Sequence, residues 1–412
     1  MKRWPVLLAA LLPVFALAQP SPDVLLLSRI RQHMVRNLTQ VPNYTCLQTI
    51  ERSHRPSGTG QFRALDTVRV EVALVAGKEL FSWPGAGRFE EKSLGELVGG
   101  GLTTTGDYAL HARTVFLSSA PTFTYRGEET RNGRAAVRFD YRVSALVSGY
   151  QVQMGEKSAV VPYHGSLWAD RETLDLLRLD VEGEETPPEM EVAGFLTQIE
   201  YSHTRVGESD FLLPRTVEFL LRRGDGSQGR NRTAFSGCRQ YVGESAIFFE
   251  EPSPATATPD KQFIQMDLPP GLRLEVRLKT PLDSNTSVTG DPVAAVLAWP
   301  LKKDGKILVP KGAEIKGRIR RLERLLTRVP YYLFGLELFE AEWEGTRTRF
   351  AARLQEVGPG FGRPGRDQLA LLPEQVESGV GFFYVRGARA TVPQGLRMVW
   401  ITEAVDRGRS SP

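Results

Sequence analysis

Apolar residues recur along this chain with two periods, and the change from one to the other marks out its elements. Near the start, Val24, Leu27, Ile30, Met34 and Leu38 fall three or four residues apart, the spacing of one helix face. Ser21 suits the N-cap, Pro22 the first helical position and Asp23 the positive end of the dipole, so a helix is expected to begin there. Beyond it the period becomes two. "TVRVEVALV" puts Val68, Val70, Val72 and Leu74 on one side of a strand. "FTYRGEETRNGRAAVRFDYRVS" reads as a hairpin turning at Asn132-Gly133. "GSLWADRETLDLLRLDVEGE", "FLTQIEYSHTRVGESDFLLPRTVEFLLRR" and "RTAFSGCRQYVGES" continue an antiparallel meander. Between Ser93 and Phe116 the alternation stops, and one or two short helices are expected.

"EPSPATATPD" (251–260) has proline, small and polar residues and nothing to bury, so it reads as a linker. It separates a first domain at 19–250 from a second at 261–405, with a disordered tail at 406–412. Within the second, "DGKILVPKGAEIKGRIRR" (304–321) has a two-residue turn at Asp304-Gly305 and another turn at Pro310-Lys311-Gly312. Strict alternation then turns Ile315 and Ile319 inward, and turns Lys316, Arg318 and Arg320 toward solvent or an anionic surface.

The 412 residues carry a formal charge of +4 and 41% hydrophobic residues, ordinary for a globular chain. "MKRWPVLLAALLPVFALAQP" has a basic start, an apolar stretch and Ala16-Leu17-Ala18, the pattern of a signal peptide cleaved after Ala18. Its loss would lower the charge to +2, and nothing calls for a nucleic-acid partner. No later stretch is apolar enough to span a membrane, so the mature chain is expected in the periplasm or outside the cell. The two cysteines, Cys46 and Cys238, invite a disulfide in that compartment.

Candidate chemistry is sparse. "GFGRPG" (360–365) matches GxGxxG formally but lacks the strand–turn–helix context and a following acid. The five histidines have no ligand spacing, and no cofactor or metal is expected. His203, Ser209 and Asp210 could form a hydrolase site only if assembled in space. Aromatic residues are plentiful in the first domain. Trp83, Phe116, Phe123, Tyr125, Phe139, Tyr141 and Trp168 are candidates to line a hydrophobic groove.

A leading helix, strands, a helical insertion and long hairpins together predict an α+β, mainly β fold: an open curved antiparallel sheet covered by helices, followed by a small β-barrel. "GSLWADRETLDLLRLDVE" and "IEYSHTRVGESDFLLPRTVEF" give the first part a resemblance to periplasmic lipoprotein carriers (LolA-like), a fold also used by anti-sigma regulators that sense envelope lipids. In the second, Gly290, Val293 and Ala295, then Pro310, Lys311, Gly312 and Gly317, with "GARATVPQGLRMVWIT" at 387–402, resemble the C-terminal barrel of TrbI-like scaffold proteins of type IV secretion. These resemblances imply a non-enzymatic envelope protein that binds a lipid or acyl ligand in the half-barrel and uses the barrel for docking to an envelope partner. The alternatives are a purely structural interaction module and, more remotely, a hydrolase.

Overall fold

The computed structural model describes residues 21–58, 60–86, 89, 91–155, 157–183, 186–241, 265–325, 331–362 and 379–404. The expected signal peptide (1–18), linker (251–260) and tail (406–412) lie outside the described residues, as do 363–365 of the glycine-rich stretch.

Helix α1 (Pro22–Gln40) starts as expected, with Ser21 extended at the N-cap and proline at the first position. Its buried stripe is rotated from the expected one. Four consecutive apolar residues, 24–27, offer more than one apolar face. Packing selects Leu26, Ile30 and Met34 and leaves Val24 and Leu25 outside. Strands β1 (Tyr44–Arg55), β2 (Arg63–Val75) and β3 (Lys78–Ser82) follow. The insertion forms α2 (Leu94–Val98), with a Ser93/Glu96 capping box, and α3 (Leu110–Leu117). The meander then runs through β4 (Thr122–Arg131), β5 (Arg134–Val143), a side hairpin of β6 (Gln151–Met154) and β7 (Lys157–Val160), and β8 (Tyr163–Asp170). It ends with β9 (Leu176–Gly183), β10 (Val192–Val206), β11 (Ser209–Arg223) and β12 (Gln228–Gln240). Asn132 and Gly133 both have positive φ, as the tight hairpin turn requires.

The sheet has ten strands in the order β3-β2-β1-β12-β11-β10-β9-β8-β5-β4. Its first and last strands in sequence, β1 and β12, are neighbours, with Ile50 opposite Thr233 and Gln48 opposite Phe235. Cys46 and Cys238 form a disulfide across this pair at its bulge, with Cα atoms 4.1 Å apart and a sequence separation of 192.

The second domain is the expected small barrel. It comprises β13 (Gln265–Asp267), β14 (Arg273–Leu278), β15 (Leu282–Asp283), β16 (Pro292–Leu297), β17 (Leu301–Lys303) and β18 (Lys306–Val309). These are followed by β19 (Glu314–Leu325), β20 (Tyr331–Trp343), β21 (Thr346–Arg349), β22 (Ala351–Val357), β23 (Val380–Arg386), β24 (Thr391–Val392) and β25 (Arg397–Glu403). The main sheet runs β23-β20-β19-β16-β14-β25-β22 and curls until β22 and β23 meet: a Cβ at Gly381 would touch Leu354 and Trp400. Trp400, Phe334, Phe383 and Leu336 fill the core.

The stretch 304–321 follows its predicted turns, with positive φ at Asp304, Gly305 and Gly312, and buries Ile315 and Ile319. The expectation for its basic face does not hold. Arg318 is only 4% exposed and Arg320 is partly buried, because the first domain covers them. Both guanidiniums lie over Trp83, at 5.7 and 5.0 Å from the ring, and both approach Glu337. Lys316 is half-buried between Glu340 and Glu342. Bulges after Lys316 and Ile319 also break the strict alternation.

The same junction caps a strand edge. β3 covers only Glu71–Val75 of β2, and Val68 bridges Thr289 where the rest of that edge is open. Arg69 N donates to Thr289 O at 2.8 Å, Thr289 N donates to Thr67 O at 3.0 Å, and Arg69 pairs with Asp291. Gly290 sits against the Arg69 carbonyl at φ +101, where a Cβ would collide with that oxygen.

Two outcomes are expected. Replacing both cysteines with serine should cost up to about 5 kcal/mol in the chain-entropy account, read as a lower urea midpoint; an unchanged midpoint would mean that strand pairing alone closes the sheet. Gly290→Val should undock the barrel, since strain at positive φ alone costs roughly 1 kcal/mol or more before the clash is counted. Scanning calorimetry should then resolve two transitions, and a single unshifted one would count against the junction.

Candidate functional site: the helix-covered face of the sheet

Helices α1 and α3 lie antiparallel over the sheet and cap each other. Arg31 Nη2 of α1 donates to Ser118 O at the end of α3, 3.0 Å away, and Arg113 Nη1 of α3 donates to Leu38 O near the end of α1, also at 3.0 Å. Each cation thereby meets a helix C-terminus, where orphan carbonyls and the dipole favour it. Beneath them Ile30, Met34, Val115, Phe116, Phe139, Tyr141, Leu167 and Phe195 form one core. The space left where α1 ends over the sheet, between Tyr44, Tyr108 and Leu212, amounts to about 20 Å³, too little for an acyl chain.

The candidate groove residues therefore scatter. Phe116, Phe139 and Tyr141 are core, and Tyr141 Oη donates to Asp180 O at 2.8 Å. Phe123 and Tyr125 sit at the sheet margin, where Arg31 lies 5.6 Å from the Phe123 ring and Tyr125 packs on Phe139. Trp83 belongs to the domain junction. Trp168 lies on the opposite face from Leu167: Arg131, Arg138 and Arg178 cover its ring at 4.7–5.4 Å, and its indole donates to Glu129 at 2.5 Å. Alternation makes Leu167 and Trp168 face opposite ways, and only the fold decides which side is the core.

An open groove of about 620 Å³ does exist, along the outer flank of α1. Val24, Leu27 and Val35 make its apolar surface with the buried Phe116 behind them, Ser28 and Gln32 add polar atoms, and Arg31 and Arg36 stand beside it. Of the candidates named from sequence only Phe116 takes part. The others were legible as helix residues, but the flank they share follows from the rotation of α1.

Buried polar groups anchor the helices. Glu79 accepts from the backbone N–H of Gly106 and Ala109 at 2.7 and 2.9 Å, fixing the approach to α3; burial nonetheless pushes its carboxyl above the usual range. Asp107 and His111 lie 3.3 Å apart, and the His111 ring stacks on Tyr150. Burial raises the phenols of Tyr44, Tyr108, Tyr150 and Tyr201, and that of Tyr163 to about 12, so all remain protonated. Asp175 joins α1 to the sheet, with His33 Nε2 at 2.8 Å and His203 Nε2 at 3.1 Å. Burial raises the Asp175 carboxyl, but contacts from His203, His33 and Thr173 outweigh it and hold the group below its ordinary value.

His203 thus faces Asp175, while Ser209 and Asp210 pair with Val206 and Arg205 at the end of their hairpin; the three do not converge. Gly362 of the glycine-rich stretch bridges Tyr384, where a Cβ would strike the phenol ring. Among the described residues no group of three or more His, Cys, Asp or Glu could hold a metal ion, and no helix is long and apolar enough to cross a membrane.

No protein-family model and no curated protein matches the chain. Among solved structures, it is similar to a DUF1329 family protein from Desulfovibrio piger, with 13% identity and a TM-score of 0.29, over 54% of this chain and 96% of that one. A putative outer membrane lipoprotein-sorting protein domain from Vibrio parahaemolyticus matches with 12% identity and a TM-score of 0.29, over 52% and 92%. Mycobacterium tuberculosis lipoprotein LppX matches with 12% identity and a TM-score of 0.20, over 54% and 99%.

The Asp175 anchor has a pH signature. Because its carboxyl is depressed in the fold, its contribution is complete above the ordinary carboxylate value of 3.8 and is lost as pH falls below it. Asp175→Asn should cost about 2 kcal/mol at neutral pH, the scale of hydrogen bonds to a charged group. In urea titrations the gap between wild type and variant should narrow at acid pH; a gap independent of pH would assign the loss to packing.

Proposed function

We propose that this chain is a non-catalytic protein of the bacterial envelope that holds an amphiphilic, acyl-type ligand along α1. The observation that carries this reading is the groove of about 620 Å³, with Val24, Leu27 and Val35 for an apolar tail and Arg31 and Arg36 for an anionic head. Each methylene removed from water contributes roughly 0.8 kcal/mol, so a tail lying on this flank would be the main source of affinity. The Cys46–Cys238 bridge fits an oxidising, extracytoplasmic compartment and so supports the reading of the first residues as an export signal. In this picture the second domain is a docking barrel of the kind its TrbI-like segments suggest, and the first is a carrier-like half-barrel whose ligand lies beside the helices.

The closed interior favours a second reading, a purely structural interaction module, because no acyl chain fits the space of about 20 Å³ beneath the end of α1. Native mass spectrometry of protein taken from the periplasm separates the two. The ligand reading expects a co-purifying lipid or fatty acid, and a Val24→Asp/Leu27→Asp variant that loses it while its circular dichroism shows it still folded. Protein that is lipid-free and does not bind a fluorescent fatty acid would leave the structural module standing.

A further inference from the structure

One hairpin of the barrel concentrates exposed lysines. Lys302, Lys303 and Lys306 project from the β17–β18 hairpin and Lys311 from the next turn; all four are exposed, and none makes an ion pair among the described residues. Several other cations of the barrel are matched: Lys279 by Glu314, Lys316 by Glu340 and Glu342, Arg397 by Glu275 and Glu356. Lys303 and Lys306 stand directly opposite each other across the hairpin, an arrangement of like charges that costs stability. From Trp299 to Lys311 the single acid is Asp304, in the turn.

Two large apolar side chains lie in the same segment, with Ile307 on the Lys302 side of the hairpin and Lys303 and Lys306 on the other side toward its tip. Trp299 is 62% exposed and Ile307 58% exposed. Ile307 lies opposite Lys302 in the strand register, and the Lys311 ammonium is 5.4 Å from the Trp299 ring centroid. The buried side chains of Leu301 and Val309 root the hairpin in the barrel core. Lysines alone could serve to keep a strand edge from pairing. They do not account for an exposed indole and an exposed isoleucine set among them. Aromatic and aliphatic side chains interleaved with unpaired lysines are the composition that lodges at the boundary between anionic headgroups and acyl chains.

We propose that Trp299 and the β17–β18 hairpin form a docking surface for an anionic phospholipid bilayer. Lys302, Lys303, Lys306 and Lys311 meet the headgroups, and Trp299 and Ile307 enter the interface between them. The surface is independent of the α1 groove and goes beyond the ligand reading.

The test is flotation of the full chain with vesicles of mixed phosphatidylglycerol and phosphatidylcholine, and with vesicles of phosphatidylcholine alone. Wild type should float with the first, less so as salt rises, and not with the second. Each lysine near such a surface is worth about a fivefold gain in partitioning, so Lys302→Gln/Lys303→Gln/Lys306→Gln should lose on the order of a hundredfold. Brominated phosphatidylglycerol should quench tryptophan fluorescence in wild type more than in Trp299→Phe. All of these positions are exposed, so melting temperatures should stay close to wild type, and Val24→Asp/Leu27→Asp should dock normally whatever becomes of the groove. Equal binding to both vesicle types would overturn the proposal, as would an unaffected triple variant. So would capture of a soluble polyanion in preference to vesicles with no contribution from Trp299 or Ile307.

Discussion

The pairing of β1 with β12 is the constraint on which the rest of the first domain depends. It brings together strands at opposite ends of the domain's sequence, and without it β1, β2 and β3 would be a small meander with no sheet to join. Closing so long a loop is entropically costly, and the Cys46–Cys238 bridge removes much of that cost from the unfolded side. Everything mounted on the early strands inherits this dependence. Trp83 follows β3, Glu79 on β3 receives the backbone of the segment leading into α3, and Arg52 on β1 reaches Asp66 and the Gly100 carbonyl beyond α2.

The domain junction is built from those parts. The open edge of β2 is a row of unsatisfied backbone groups, and the segment around Thr289 satisfies it as a short added strand. The approach is close enough that only glycine fits at 290. Around this seam Arg318 and Arg320 lie against Trp83 with Glu337 near both guanidiniums, and Arg320 reaches the Leu97 carbonyl of α2. Planar guanidiniums suit this place because they stack on an aromatic face while still donating at their edges. The basic strand that alternation turns outward is thus part of the glue between two domains, while a neighbouring hairpin carries exposed lysines.

Helix α1 is fastened differently from the sheet it covers. Three buried apolar side chains hold its face, and polar contacts at His33, Arg31 and Asn37 tie it to Asp175, Ser118 and Leu212. Polar contacts fix an orientation more sharply than apolar burial, which is non-directional. That orientation leaves Val24 and Val35 outside the core beside the partly buried Leu27, on a flank that can serve a ligand as well as the fold.

Much of this was determined by the sequence alone: a helix opened by Ser21-Pro22-Asp23, the hairpin at Asn132-Gly133, the inward Ile315 and Ile319, and the pairing of the only two cysteines. Each rests on local rules of capping, turn geometry and strand period, or on a count of two. Tertiary structure decided the rest. Period two says that Leu167 and Trp168 face apart, but three arginines on the outer face make Trp168 a covered surface residue and not a groove wall. Period 3.6 allowed two apolar faces over 24–27, and the sheet chose Leu26. Alternation placed Arg318 and Arg320 on one strand face, and a tryptophan more than two hundred residues earlier buried them. A local pattern records which side chains share a face; what comes to cover that face depends on contacts between distant segments, which no local period encodes.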